Sequence, residues 1–216
     1  MSLIVAIDGP GGSGKSTVAA ALADRLGVPH VDTGAYYRAA TLACLRAGIP
    51  LDDEEACAGV VRDARIEHAA GRARLDGADV EDDIRGPLVT AHVSQVAAHP
   101  RVRDLLVARQ RAAAHGGGVV EGRDAGTAVV PDAVAKVWLT ASPEERAARR
   151  ARQLGQTDPE AIADHAADLA RRDRADAAQM TPAPDAVVID TDGLGVEEIV
   201  DEIVVRLGVV DQGSAP

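Results

Sequence analysis

Leu3-Ile4-Val5-Ala6-Ile7-Asp8-Gly9-Pro10-Gly11-Gly12-Ser13-Gly14-Lys15-Ser16 is the most informative stretch of this chain. Its first five residues form a continuous apolar run, as a buried parallel strand requires, and the run ends at Asp8. Residues 9–16 satisfy G-x-x-x-x-G-K-[ST] at every fixed position. Lys15 to Leu26 then reads as a helix with Val18, Ala19, Leu22, Ala23 and Leu26 on one face, stopped by Gly27 and Pro29. The glycines let backbone N–H groups converge on a polyphosphate, and the helix N-terminus adds its partial positive charge. Lys15 is one of two lysines in a chain with 21 arginines. A slender ammonium fits between two wrapped phosphates where a flat guanidinium does not. The loop is therefore expected to bind a nucleoside triphosphate, with Gly9, Pro10, Gly11, Gly12, Ser13, Gly14, Lys15, Ser16 and Thr17 as the binding residues.

The 216 residues suit one α/β domain with inserted subdomains. The core must be aliphatic, because there is no Phe, one Trp and two Tyr. A formal net charge of −11 argues against a nucleic-acid or anionic-membrane partner, and it requires locally clustered arginines to draw in any anionic substrate. Cys44 and Cys57 read as buried thiols in a reducing compartment. No signal peptide and no apolar run of membrane-spanning length is visible, so a cytoplasmic location is expected.

Beyond the first helix, Pro29–Asp32 reads as a short strand, with Asp32 or Thr33 capping a helix to Ala47. Leu51 and Asp52 open another helix with acids in its first turn. Residues 64–80 alternate around turn residues, predicting a small antiparallel hairpin hung on the core. Helical patterns return at 88–98 and from Pro100 to His115. Val119–Glu121 and Lys136–Leu139 read as buried strands, and Ser142 with Glu145 as a capping box for a helix to Leu154. A further helix runs to about Asp176, followed by a strand at 187–190 and a helix at 196–207. Residues 211–216 are expected to be a disordered tail. Strands alternating with helices imply a parallel sheet covered on both faces.

The chain contains no asparagine, so a guanine-reading N-K-x-D motif is absent and a regulatory GTPase is disfavoured. Arginines sit where the strands end, as phosphoryl transfer requires, because the protein supplies positioning and electrostatic stabilisation there. Four further segments carry specificity. Asp32-Thr33-Gly34-Ala35-Tyr36-Tyr37-Arg38 follows the second strand, with Arg38 able to reach an acceptor phosphate or to face solvent on an ordinary capped helix. Ser94 to Arg103 could read a base edge or form a solvated helix face. Glu121-Gly122-Arg123-Asp124-Ala125-Gly126-Thr127 lies at the C-terminal end of a buried strand, where ligands collect in open α/β sheets. The last segment is a pair of arginine-rich helices carrying Arg146, Arg149, Arg150 and Arg152, then Arg171, Arg172, Asp173, Arg174 and Asp176, many of them surface ion pairs. The six histidines show no ligand spacing.

GPGGSGKST, DTGAYYR, SQVAAHPRVRDLLVARQR, EGRDAGT and the run Lys136–Ser142 together resemble bacterial cytidylate kinase, in order and across nearly the whole chain. The resemblance implies a P-loop NTPase-type five-stranded parallel sheet flanked by helices, with a small antiparallel β insert and a helical lid. It implies transfer of the γ-phosphoryl group of ATP to CMP or dCMP with Mg²⁺, within a single kinase domain spanning 1–216. A nucleoside-monophosphate-binding region is expected at about 33–99, with its β insert near 64–80, and the lid at about 155–180.

By matching position, the resemblance implies that Arg38 and Arg123 hold the acceptor phosphate, while Thr33, Ser94, Arg103 and Asp124 line the cytidine pocket. It puts Lys15, Arg149 and Arg172 at the transferring phosphoryl group, Asp176 at the ribose and Ser16 on Mg²⁺. The expected partners are ATP and CMP or dCMP, with no nucleic acid and no membrane, and the expected working form is a monomer. One departure lies in the lid, where family members usually carry an arginine three residues after the position of Asp176 and this chain has Gln179. Arg171 or Arg174 could substitute.

Three other readings stay open. Adenylate, shikimate and dephospho-coenzyme A kinases share the glycine loop but lack the Ser94–Arg111 and Glu121–Thr127 segments in this form. A nucleotide-dependent switch would bind triphosphate without acceptor-stimulated turnover. A kinase-derived protein with an inactive lid is kept open by Gln179.

Overall fold

In this computed structural model, which describes residues 3–156 and 158–208, the apolar runs at 4–7, 119–120, 137–139 and 187–189 become strands. The first half of the chain forms β1 (Ile4–Asp8), α1 (Lys15–Leu26), β2 (His30–Asp32), α2 (Thr33–Ala47) and α3 (Glu54–Asp63). Then come β3 (Ile66–Ala69), β4 (Arg72–Leu75), β5 (Ala78–Asp79), α4 (Glu81–Arg85), α5 (Pro87–Ala97) and α6 (Pro100–Ala114). The second half adds β6 (Gly118–Gly122), β7 (Ala135–Thr140), α7 (Pro143–Leu154), α8 (Pro159–Ala175), β8 (Val187–Asp190) and α9 (Val196–Leu207).

Five strands make one sheet in the order β2-β6-β1-β7-β8, and every pairing in it is parallel. Alternate residues along a strand serve different cores. Val5 and Ile7 pack with Val18, Leu22, Val200 and Ile203 on the α1 and α9 face. Ala6 and Val120 face α2, α3 and α6 on the other side, with Tyr36, Cys44, Cys57 and Leu106. Burial on both faces is why these strands read as unbroken apolar runs. Cys44 and Cys57 are both free and buried, as expected from their surroundings.

The insert has one strand more than the expected hairpin. β5 pairs with β4, and Arg72 forms a close ion pair with Asp79 across them. The third helix starts later than its acids alone suggest. Asp53 caps it by accepting from the Ala56 amide at 3.0 Å, and Leu51 stays in the preceding turn, its carbonyl 2.8 Å from His99 Nε2. The short helix α4 and a wide helical turn at Ala125–Val129 were not foreseen. The tail expected at 211–216 lies outside the described residues.

Register brings the carboxyl ends of three strands level, with Asp8 opposite Gly122 and Glu121 opposite Asp32. The chain leaves β1 through Gly9, whose φ is +153° and whose missing Cβ would stand 2.2 Å from the Leu139 carbonyl oxygen of β7. Gly9→Ala should therefore force β1 and β7 apart and destabilise the protein by about 1–3 kcal/mol, as overpacking does. Gly27→Ala, at a left-handed helix end with open space around it, should cost only about 1 kcal/mol. Denaturant unfolding of both variants tests this, and an equal loss would refute the close-approach explanation for Gly9.

Candidate active site

Along the carboxyl edge of the sheet runs a cleft of about 770 Å³. Its floor is the glycine loop. Gly14 precedes α1 in a left-handed conformation and offers no side-chain cap, so the first amides of α1 point outward with no side-chain acceptor. Lys15 reaches back over the loop and donates to the Pro10 carbonyl at 3.0 Å. Burial, and next the nearby Arg123 guanidinium, pull the Lys15 ammonium down to about 7. A phosphate anion beside it would reverse that shift.

The loop is braced from the side by α7 and the end of β8. Arg146 donates to the Gly11 carbonyl at 3.0 Å and to Asp173 of α8 at 2.6 Å. Arg149 donates to the Ser13 carbonyl at 3.3 Å and to the Thr191 hydroxyl at 2.8 Å, and pairs with Glu145 at 2.9 Å. Thr191 is fully buried, and its hydroxyl also lies within reach of the Ser13 and Thr140 carbonyls. These contacts hold the glycine loop from its carbonyl side, leaving its amides toward the cleft.

A second group of residues rises from β2, β6 and the helices after them. Asp32 caps α2 by accepting from the Ala35 amide at 2.9 Å, and its other oxygen pairs with Arg85 of α4 at 2.9 Å. Burial opposes the Asp32 charge, but Arg85 and His68 hold its carboxyl below the ordinary value. Arg38 is buried. It donates to the Ile84 carbonyl at 3.0 Å and the Thr90 hydroxyl at 2.9 Å, with no carboxylate partner among the described residues. Burial, then Arg172 and Arg85, pull it down to about 9 against the opposing pull of Asp32, so it stays charged at neutral pH. Arg172 of α8 is lowered by burial and then by Arg123, and its Nε has no partner.

At the far end Arg103 and Asp124 form a close ion pair, with the Arg103 guanidinium 5.7 Å from the centre of the Tyr37 ring. Arg123 donates to Asp176 at 3.2 Å and to the Gly9 carbonyl at 3.2 Å, bridging β6 to the end of α8. Asp8 orders this corner. Its two oxygens accept from the Ala125 and Gly126 amides at 2.7 and 2.8 Å, although burial raises its carboxyl to about 6.

The cleft wall contains every site residue expected from sequence except Gly9, Pro10 and Ser13. Those three lie behind the loop, where Ser13 is buried and the Pro10 and Ser13 carbonyls accept from Lys15 and Arg149. Gln179 lines the cleft, whereas Arg171 pairs with Asp168 outside it and Arg174 is absent from its lining. Sequence reading overlooked Asp8, Arg85 and Thr191. Asp8 and Thr191 gain their roles from partners more than a hundred residues away, and Arg85 sits in a helix too short to show a period.

The cytidylate kinase family model matches residues 5–208. The chain is 49% identical over 209 residues to the cytidylate kinase of Geobacillus kaustophilus (strain HTA426), covering 92% of this chain and 93% of that protein. It is 48% identical over 214 residues to the cytidylate kinase of Nocardia farcinica (strain IFM 10152), covering 93% and 91%. Among solved structures, shikimate kinase from Bacteroides thetaiotaomicron shares the fold, with a TM-score of 0.52 at 16% identity over 95% of this chain and 98% of that one. With the family model spanning almost all of its described residues and relatives matched at nearly half identity, the chain belongs to the cytidylate kinase family of ATP-dependent phosphotransferases.

Proposed function

We propose that this chain transfers the γ-phosphoryl group of ATP to CMP or dCMP, giving ADP and CDP or dCDP, with the cleft residues in the following roles. The observation that carries the reading is the pairing, in one cleft, of an ammonium-bearing glycine loop with the buried Arg38 and the half-buried Arg172, neither of which forms an ion pair among the described residues. The loop amides and Lys15 take the β- and γ-phosphates of ATP, and Arg38 and Arg123 take the acceptor phosphate. Arg149 and Arg172 face the transferring group, where charge spreads over three equatorial oxygens. An acceptor phosphate oxygen forms the new bond to the γ-phosphorus as the bond to the β,γ-bridging oxygen breaks. That oxygen is already a nucleophile, so no general base is needed.

The residues present fit Mg²⁺ bound chiefly through phosphate oxygens. Ser16 opens into the cleft in the first turn of α1, and no cluster of acidic, His or Cys residues forms an all-protein cage among the described residues. Bound there, the ion would neutralise charge on the β- and γ-phosphate oxygens. Asp176 suits the ribose hydroxyls, and Thr33, Ser94, Arg103 and Asp124 suit the base. Residues 33–99 serve as the acceptor-binding region and 155–180 as the lid in this reading. In this reading the chain works as a monomer on free cytoplasmic nucleotides, and its formal net charge of −11 disfavours nucleic-acid and anionic-membrane partners.

Lys15→Ala should lower kcat by about 10²–10³-fold with little change in CMP affinity, because the contact strengthens as charge moves in the transition state. Lys15→Arg should fail badly too, and near-normal turnover of that variant would refute the ammonium-specific fit. Since Lys15 sits near 7 in the free protein and a bound triphosphate favours its charged form, ATP binding at pH 8 should take up a proton. ATP affinity should then fall as pH rises through 7. Calorimetry in buffers of different ionisation heat measures the uptake, and binding without it would contradict the assignment.

Arg38→Ala and Arg123→Ala should each weaken CMP binding by about tenfold or more, the worth of a charge-assisted contact. Titrations in which both variants bind CMP like the parent would remove the acceptor assignment.

Cytosine differs from uracil in offering an amine to Asp124 and a ring-nitrogen acceptor to Arg103 or Ser94. A uracil in that pose leaves buried groups unpaired. The parent should favour CMP over UMP, and Asp124→Asn should lower CMP turnover while shrinking the preference. Equal kcat/KM for both acceptors in the parent would sink the cytidine pocket and leave phosphoryl transfer standing.

A further inference from the structure

Four arginines stand on α7, and three of them are spoken for. Arg146 pairs with Asp173, while Arg149 and Arg152 both pair with Glu145. Arg150 differs. It is partly buried in the cleft wall and donates to Gln153 one turn further along the same helix at 2.8 Å, and it forms no ion pair among the described residues. Burial, and next the Arg85 guanidinium, hold Arg150 below the ordinary value, and Arg150 adds to the lowering of Arg38 and Arg172 in the same cleft. A half-buried guanidinium set among guanidiniums is unfavourable unless an anion joins them. Gln179, in the same wall, brings no charge of either sign.

We infer that Arg150 is a substrate-binding residue that grips the phosphate of the acceptor nucleotide from the α7 wall, opposite Arg38. The side of the cleft decides between acceptor and donor. Arg38 of α2 donates to the Ile84 carbonyl of α4 and Arg85 of α4 pairs with Asp32, so both stand on the Asp32 side, and it is their charge that Arg150 meets across the cleft. A guanidinium fork suits a terminal phosphate, which offers two oxygens in one plane. The adjacent Arg149 bonds the glycine loop through the Ser13 carbonyl. Two consecutive residues of one helix therefore reach the donor loop and the acceptor phosphate, so α7 fixes the distance between them.

This inference rests on the acceptor assignment proposed above, and the test separates the two. Calorimetric titration of Arg150→Ala with CMP, and separately with a non-hydrolysable ATP analogue, is compared with Arg38→Ala and with Arg171→Ala, a cleft-external control. Circular dichroism and thermal unfolding check each fold, with Arg150→Gln as replacement should the alanine variant unfold. The expected result is CMP affinity reduced by about tenfold or more in Arg150→Ala, as for loss of a charge-assisted bond. The analogue should bind within about twofold of the parent, and Arg150→Lys should fall between. KM for CMP should rise with the loss of binding, and Arg171→Ala should match the parent. Weakened analogue binding with unchanged CMP binding would overturn the inference. So would unchanged CMP binding in Arg150→Ala while Arg38→Ala loses it. Unchanged CMP binding in both would overturn the acceptor assignment itself.

Discussion

The two hydrogen bonds that Asp8 accepts from the Ala125 and Gly126 amides are the constraint on which the site depends. They join the end of β1, which feeds the glycine loop, to the segment after β6, which carries Arg123 and Asp124. Burial pushes the Asp8 carboxyl up to about 6, and the two amides offset part of that cost. Close approach is possible because Gly122 and Gly126 have no side chains. A Cβ at Gly122 would stand 2.5 Å from the Thr33 hydroxyl, and one at Gly126 would stand 3.3 Å from Asp8. The Thr33 hydroxyl donates to the Glu121 carbonyl at 2.7 Å, drawing the start of α2 into the same junction. Three strand ends are thereby locked into one hydrogen-bonded corner.

Charge is distributed against the trend of the chain. The protein carries a formal −11, yet its cleft is lined by eight basic and six acidic side chains. The acids do not cancel the bases evenly. Asp32, Asp124 and Asp176 each hold one arginine in place, which leaves Arg38, Arg150 and Arg172 without an ion pair among the described residues and ready to meet an anion. Attraction for a nucleotide is therefore local. At physiological ionic strength fields decay within about 8 Å, so the acidic exterior and the basic cleft act on separate length scales.

Much of this was legible in the sequence because it is written in local chemistry. The strand–loop–helix start, the caps at Asp32 and Ser142, and the proline opening α6 depend on neighbours within a few residues. The alternation in 64–80 announced the insert, but β5 is two residues long and is recognised only through its pairing with β4. Strand order, the role of Asp8 and the contrast between Arg150 and the other arginines of α7 could not be read. Each depends on which distant groups the sheet brings together. The glycine loop in the cleft lining was legible from its local motif, whereas Ser94, Arg103, Arg149, Arg172 and Asp176 stand on helices or at a helix end and were reached only through the family resemblance.

The scarcity of aromatic residues has an optical consequence. The single tryptophan, Trp138, is buried on β7 directly across from Asp8, beneath the donor loop. The two tyrosines, Tyr36 and Tyr37, stand together on α2 at the acceptor side, with Tyr37 under the Arg103 guanidinium. Red-edge ultraviolet excitation addresses only the indole, whereas shorter wavelengths add the phenols. The unlabelled protein thus carries its indole beside the strand that feeds the donor loop and one phenol, Tyr37, in the acceptor half of the cleft, so a change in emission excited at the red edge reports on the donor side alone.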